Sequence, residues 1–223
     1  IAVTKTKGQF NFYENGLLLG SGDEVIASEV LVHFPMLAVK NPGRVLLIGT
    51  GFNGPLAEIL KYNPGRVDYV ELDSRLIELS EPYLSADLAR ALRDPRVVIH
   101  YDDARHFLKK VRDVFDVVIL HLPNPSTALL NRFYTEEFFE MLVPLTQHES
   151  VVSLQLDFSP NYVSPELERL TACLYWTLRG VFPETVLLPA EKILIMASRA
   201  DLFKTLPARA LENFKTAKLK NHF

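Results

Sequence analysis

The chain has 223 residues, of which 48% are apolar and 23% charged, and its net charge is −3. That is enough apolar side chain to bury a full core in one large domain, or in one domain with a small extension. The near-neutral, mixed charge excludes a strongly basic surface, so no nucleic acid partner is expected. No apolar run approaches the ~20 residues that a membrane helix needs. The first residue is Ile1 and the opening stretch carries no signal-peptide pattern, so the sequence is read as a piece of a longer chain. The single Cys173 fits a reducing, cytoplasmic compartment and is read as a small buried hydrophobe on a helix.

In chain order, residues 1–40 form a separate small piece. The stretch QFNFYENGLLLG predicts a β-hairpin around Glu14, Asn15 and Gly16, because Asn-Gly supplies the positive φ angles of a tight turn. A helix, VIASEVLVHFPMLAV, follows it. From Arg44, short Val- and Ile-rich runs alternate with helical patterns. RVLLIG, RVDYVEL, RVVIHY and FDVVILHL read as buried strands, with PLAEILKY, SRLIELSEPYL and ARHFLKKV between them as helices. This alternation predicts a parallel sheet covered on both faces. TEEFFEMLVPL then reads as a helix, SVVSLQL as a fifth strand and PELERLTACLYWTLRGVF as a long helix. ETVLLP and KILIMAS are too close together for a crossover and must pair antiparallel. The expected fold is α/β: a Rossmann-like, seven-stranded sheet of the methyltransferase type over residues 41–200, closed by an antiparallel hairpin. The tail, 201–223, reads as a helix with a solvated, lysine-bearing end.

Gly49, Gly51 and Gly54 spell G-x-G-x-x-G between a strand and a helix, and Glu71 ends the next strand, twenty residues after Gly51. Such glycines let backbone approach a ligand, and the acid can accept from both ribose hydroxyls. Asp102 and Asp103 follow the third strand at the same sheet edge. An acid there can accept from an adenine amino group, with neighbours such as Ala104 against the ring. Alternatively, Asp103 is the N-cap of the helix that follows. Gly49, Gly51, Glu71, Asp102, Asp103 and Ala104 are therefore the candidate nucleoside-binding set. The chemistry must come from the fourth strand and its loop, HLPNPSTALLNRFYTEEFF, where His121 and Asn124 are the candidate catalytic positions. Histidine is a usable base at neutral pH, but His121 reads equally as a structural hydrogen-bond partner. His33, His100, His106 and His121 form no recognisable metal set, and no metal is expected.

These stretches resemble the spermidine synthase family of aminopropyltransferases. The likeness runs from ENGLLLGSGDE through SEVLVHFPMLAVKNPGRVLLIGTGFNG and VDYVELD to RFYTEEFFEML and VVSLQL. It is nearest to a branch whose synthase domain is joined to membrane-spanning segments and whose loop reads like LPDPSTAQLNRFYT. The resemblance implies that decarboxylated S-adenosylmethionine, or S-adenosylmethionine itself, lies on the glycine turn, with its ribose on Glu71 and its adenine on Asp103. A diamine then attacks the carbon next to the sulfonium. It also implies a homodimer assembled through the β piece at Gln9–Leu19. The family's acids are absent at Phe52, His121 and Asn124, Leu19 stands for a glutamine, and Ala27 and Ser28 stand for a tyrosine and a histidine. Asp23, Glu24, Glu29 and His33 are kept. The implied protein holds the nucleoside and has lost much of the polyamine site. Alternatives are a catalytically silent nucleoside-binding domain and a methyltransferase for a less charged acceptor, in which Phe52 and Leu19 shape an apolar pocket and His121 takes the proton. A dehydrogenase shares the glycine pattern but lacks the terminal hairpin.

Overall fold

The computed structural model describes residues 1–6, 9–14, 16–21, 25–157, 164–190, 192–204, 206–208 and 210. Asn15, Asp23 and Glu24, and the lysine-bearing end of the predicted tail helix, lie outside them. Three strands come first, β1 (Ala2–Thr6), β2 (Gln9–Glu14) and β3 (Leu17–Ser21), paired antiparallel in that order. The expected hairpin is β2–β3. The additional β1 gives no apolar alternation in sequence, because four of its five positions face solvent. Helix α1 (Val25–Ala38) carries this piece to the core and buries Leu31, Val32 and Met36.

The core continues with β4 (Arg44–Gly49), α2 (Pro55–Leu60), β5 (Arg66–Glu71), α3 (Ser74–Ser80), α4 (Ala86–Leu92), β6 (Val97–Tyr101), α5 (Ala104–Lys110) and β7 (Phe115–His121). Then come α6 (Ala128–Asn131), α7 (Glu136–Glu140), β8 (Thr146–Leu156), α8 (Pro165–Val181), β9 (Glu184–Pro189) and β10 (Ile193–Ser198). Among the described residues, seven of these strands form one sheet in the order β6-β5-β4-β7-β8-β10-β9. β4 to β8 run parallel, and β10 lies antiparallel to both β8 and β9, as the short connection requires. Helix α4 is absent from the sequence reading because its ADLARAL stretch buries only Ala91 and Leu92.

Alternation along each strand divides the core between the two faces of the sheet. Val45, Leu47, Val117 and Ile119 pack with Leu31, Val32 and Leu56 on one side. Leu46, Ile48, Val118 and Leu120 pack with Phe107, Phe138 and Leu174 on the other. The exposure of Cys173 corrects its assignment as buried. The buried stripe of α8 is Thr171, Leu174 and Leu178, and Cys173 lies about a quarter turn off it. No helix among the described residues is long and apolar enough to cross a membrane.

Phe52 is 1% exposed and meets Phe12 of β2 edge to face, with ring centroids 5.3 Å apart. This pair joins the small sheet to the glycine turn. Phe52→Ala should lower the unfolding free energy by about 3–5 kcal/mol in urea titration, and Phe52→Asp by more, since a carboxylate would be buried among apolar groups.

Asp68, on β5, ties three strands at the far side of the sheet. It accepts from Arg44 at 3.1 Å, Arg66 at 2.7 Å and His100 at 2.8 Å, with its side chain 1% exposed. Burial opposes its charge, but the hydrogen bonds from Arg66 and His100 outweigh burial and hold the carboxyl below its ordinary range. Since the folded value is the lower one, this stabilisation is complete above the free aspartate value of about 3.9. It is lost as pH falls from there through the native value. Asp68→Asn should flatten this acid limb in urea titrations run at stepped pH, as well as lowering stability at neutral pH.

Candidate nucleoside and acceptor site

Winding of the sheet reverses between β4 and β7: β5 lies on one side of β4 and β7 on the other. Ligands of open α/β sheets occupy the crevice at the carboxyl ends of strands flanking such a reversal. Here the two strand ends are clasped. The Thr50 amide donates to the His121 carbonyl at 3.0 Å, and His121 Nδ1 donates back to the Thr50 carbonyl. Gly49 has φ +93°, and a Cβ there would sit 2.3 Å from the His121 carbonyl oxygen, so glycine is required for this contact whether or not a ligand is bound.

Glu71 ends β5 and is 6% exposed. Its Oε1 accepts from the amides of Leu72 at 2.8 Å and Asp73 at 3.3 Å, and its Oε2 accepts from the Tyr69 hydroxyl at 3.1 Å. The same hydroxyl accepts from the Gly51 amide at 3.1 Å. Sequence reasoning missed Tyr69 because it lies inside a buried strand and there looks like any other core aromatic.

The two aspartates after β6 turn toward α5. Asp103 is its N-cap: Oδ1 accepts from the His106 amide at 3.3 Å, and Oδ2 pairs with Arg132 from the segment after α6. Asp102 accepts from the Asp103 amide at 2.8 Å and from His106 Nδ1 at 2.7 Å, which hold its carboxyl below the ordinary range, the His106 contact foremost. The capping role of Asp103 is therefore realised, and each of its oxygens keeps one further lone pair. Ala104 is buried at the first position of α5. A larger cavity of about 410 Å³ opens beside Asp102, bounded by Arg66, Asp68, His100 and Lys110. No glycine-turn residue lines it, and its charged groups already have ion-pair partners.

A cavity of about 200 Å³ lies at the clasp itself, lined by Leu19, Thr50, His121, Gln155, Asp157 and Lys192 among others. Leu19 faces it as expected, whereas Phe52 does not. Among the described lining residues the one carboxylate is Asp157, and Lys192 Nζ sits 3.0 Å from it. Gln155 Nε2 donates to the Ala27 carbonyl at 2.9 Å, while its buried Oε1 has no hydrogen-bond partner. Because a carbonyl can only accept, the bond to Thr50 puts the His121 proton on Nδ1, and in the neutral ring Nε2 carries the lone pair. Asn124 is committed elsewhere. Its Nδ2 donates to the Asp157 carbonyl at 3.2 Å and its Oδ1 accepts from the Asp157 amide at 2.9 Å. An amide matches both groups of that peptide, whereas a carboxylate matches one. Tyr134 pins the intervening loop by donating to the carbonyls of Pro123 at 2.8 Å and Leu122 at 3.1 Å.

Away from the crevice, Glu29, His33 and Glu58 bring ligand-type atoms within 4.8 Å of one another, a cluster not foreseen in the sequence. Part of its charge is offset within the cluster's surroundings. Lys61 Nζ lies 2.6 Å and His33 Nε2 3.1 Å from Glu58 Oε2, and the Tyr62 hydroxyl lies 2.7 Å from His33 Nδ1. With Nε2–H donating to Glu58 and Tyr62 donating to Nδ1, both ring nitrogens are used.

Asn124→Asp should lower stability by about 1 kcal/mol, because a carboxylate would then face the Asp157 carbonyl. Thermal unfolding measures that loss. The same variant should gain no diamine turnover, since its new charge is aimed at the backbone and not into the cavity.

Residues 24–190 match the Spermine/spermidine synthase domain. A polyamine aminopropyltransferase of Archaeoglobus fulgidus is 36% identical over 155 residues, which is 70% of this chain and 55% of that one. Its counterpart in Leptospira interrogans is 35% identical over 186 residues, 80% of this chain and 37% of that one. The chain thus spans roughly half or less of these relatives' lengths. Among solved structures, a spermidine synthase in complex with the transition-state analogue AdoDATO superposes with a TM-score of 0.76 at 25% identity, covering 92% of this chain and 75% of that one. Human methyltransferase-like protein 13 in complex with SAH shares the fold alone, with a TM-score of 0.58 at 17% identity over 88% of this chain and 91% of that one. By its matched domain and its fold, the chain belongs to the spermine/spermidine synthase family.

Proposed function

We propose that this chain binds an S-adenosylmethionine-type nucleoside, decarboxylated S-adenosylmethionine in the first instance, and serves as the aminopropyltransferase core of a polyamine-synthesising protein. The observation that carries this reading is the anchored carboxylate of Glu71 beside the glycine turn, oriented by two backbone amides and a tyrosine hydroxyl. A carboxylate held at that point suits recognition of a ribose hydroxyl. The relatives named above are polyamine aminopropyltransferases, and the superposing spermidine synthase holds AdoDATO, which supports the same ligand class.

In aminopropyl transfer a neutral amine attacks the carbon next to the sulfonium. The C–N bond forms as the C–S bond breaks, methylthioadenosine leaves, and the amine proton passes to a base. A free amine has a pKa of about 10, so its bound form must shed a proton. His121 lines the cavity and fits the role of base, and the unpaired Oε1 of Gln155 fits an acceptor's N–H. A second cationic end finds little attraction here. The one carboxylate of the described wall is largely exposed and already carries Lys192, in a pair of a class worth about 0–1 kcal/mol. This described wall suits an acceptor with less positive charge than a diamine.

The engagement of Asn124 with Asp157 also favours a second reading, a nucleoside-binding domain without turnover. One experiment separates the two. Methylthioadenosine should bind in isothermal titration, and Glu71→Gln should weaken it at least tenfold, as expected on losing a charged hydrogen-bond acceptor. Release of methylthioadenosine from decarboxylated S-adenosylmethionine with a panel of monoamines and diamines then reports transfer. Binding without release on any amine leaves the silent reading, and the absence of binding removes both.

A further inference from the structure

We infer that Tyr69 is a positioning residue that sets the glycine turn and the Glu71 carboxylate at a fixed separation through one buried hydroxyl. This rests on the nucleoside reading above. Tyr69 and Glu71 are two residues apart on β5, so both side chains stand on the same face of the sheet. The tyrosine side chain is fully buried.

The direction of each hydrogen bond is dictated by its partners. The Gly51 amide can only donate and an ionised carboxylate can only accept, so the hydroxyl between them accepts from the first at 3.1 Å and donates to the second at 3.1 Å. Burial, and then the neighbouring Glu71 charge, push the phenol well above its ordinary value, so the proton stays on it throughout the working pH range. The ring contributes as well. A Cβ on Gly51 would lie 3.0 Å from Tyr69 Cε2 and 2.6 Å from Leu47 Cδ2, so the second glycine of the pattern is required from beneath, by the core. Turn and acid therefore move together or not at all.

Tyr69→Phe keeps the ring and removes the hydroxyl. The Gly51 amide is then buried without this acceptor and Glu71 Oε2 loses this donor. The consequence falls on the ribose end of a nucleoside, because the proposed adenine acid, Asp103, follows β6, which lies across β5 from the glycine turn. Wild type should prefer methylthioadenosine over its 2′,3′-dideoxy analogue. In Tyr69→Phe the affinity for methylthioadenosine should fall roughly tenfold, while that for the dideoxy analogue stays the same. A role in packing alone would lower both equally, and that result, or no change in either, overturns the inference.

A second measurement is independent of any nucleoside. In carbon-13 NMR of the free protein, the Glu71 carboxyl should titrate higher in Tyr69→Phe, because a donor to its charged form is gone. Wild type that binds neither nucleoside would remove the proposed function, yet an unshifted Glu71 midpoint would still by itself overturn the role given to Tyr69. If Tyr69→Phe does not fold, Gly51→Ala, which forces the turn off the ring, must show the same ribose-specific loss or the inference falls.

Discussion

The crevice exists because the ends of β4 and β7 are held at contact where the winding of the sheet reverses. Two hydrogen bonds between Thr50 and His121 close that contact, and the missing side chain at Gly49 permits it. Every candidate group is referred to this clasp. The glycine turn leaves from one strand, the loop carrying Asn124 leaves from the other, and Gln155 stands at the end of the next strand along. His121 thereby has a structural duty, and any proton it handles is handled by a ring whose orientation is already set by a backbone carbonyl. Fixing the tautomer in this way is what a base requires, so the structural and catalytic readings of His121 are compatible.

Phe52 has its counterpart in the small sheet, at Phe12. Phe52 reaches away from the crevice to Phe12, and the interlock makes the glycine turn part of a domain junction. An acid at this position would face a crowded apolar environment. Phe52 therefore bears on stability by what it fills. Asn124 follows a similar logic at lower energy: its amide closes a peptide-like pair with Asp157, thirty-three residues away in sequence, and so stitches the loop after β7 to the end of β8.

Most of the sheet was legible in the sequence because buried parallel strands leave continuous runs of Val, Ile and Leu, and the short gap before KILIMAS dictated the antiparallel closure. Strand β1 was not legible, since it is paired on one edge and solvated, with no apolar face to declare it. Cys173 was misread because an amphipathic run fixes the width of the buried stripe but not its centre, and a quarter-turn error moves one residue from core to solvent. At the site, the glycines, Glu71 and the N-cap at Asp103 followed from local pattern. Tyr69, Gln155, Asp157 and Lys192 did not, because their roles arise from juxtapositions across strands. A tyrosine in a strand gives no sign of where its hydroxyl ends.

The two halves of the site differ in how they are coupled to the fold. The nucleoside half is built from the core: Gly49 and Gly51 are demanded by backbone and ring contacts beneath them, and Glu71 is anchored by main-chain amides. Changing any of these disturbs close packing, where even small volume changes are felt. The cavity at the clasp is in part lined by side chains near solvent. Asp157 has 61% of its side chain exposed, and its bond with Lys192 belongs to a class worth about 0–1 kcal/mol. Such residues can change charge with little effect on folding. Folding thus constrains the groups packed on the core, Gly49, Gly51 and Glu71, and leaves the exposed charges of the cavity wall free to vary.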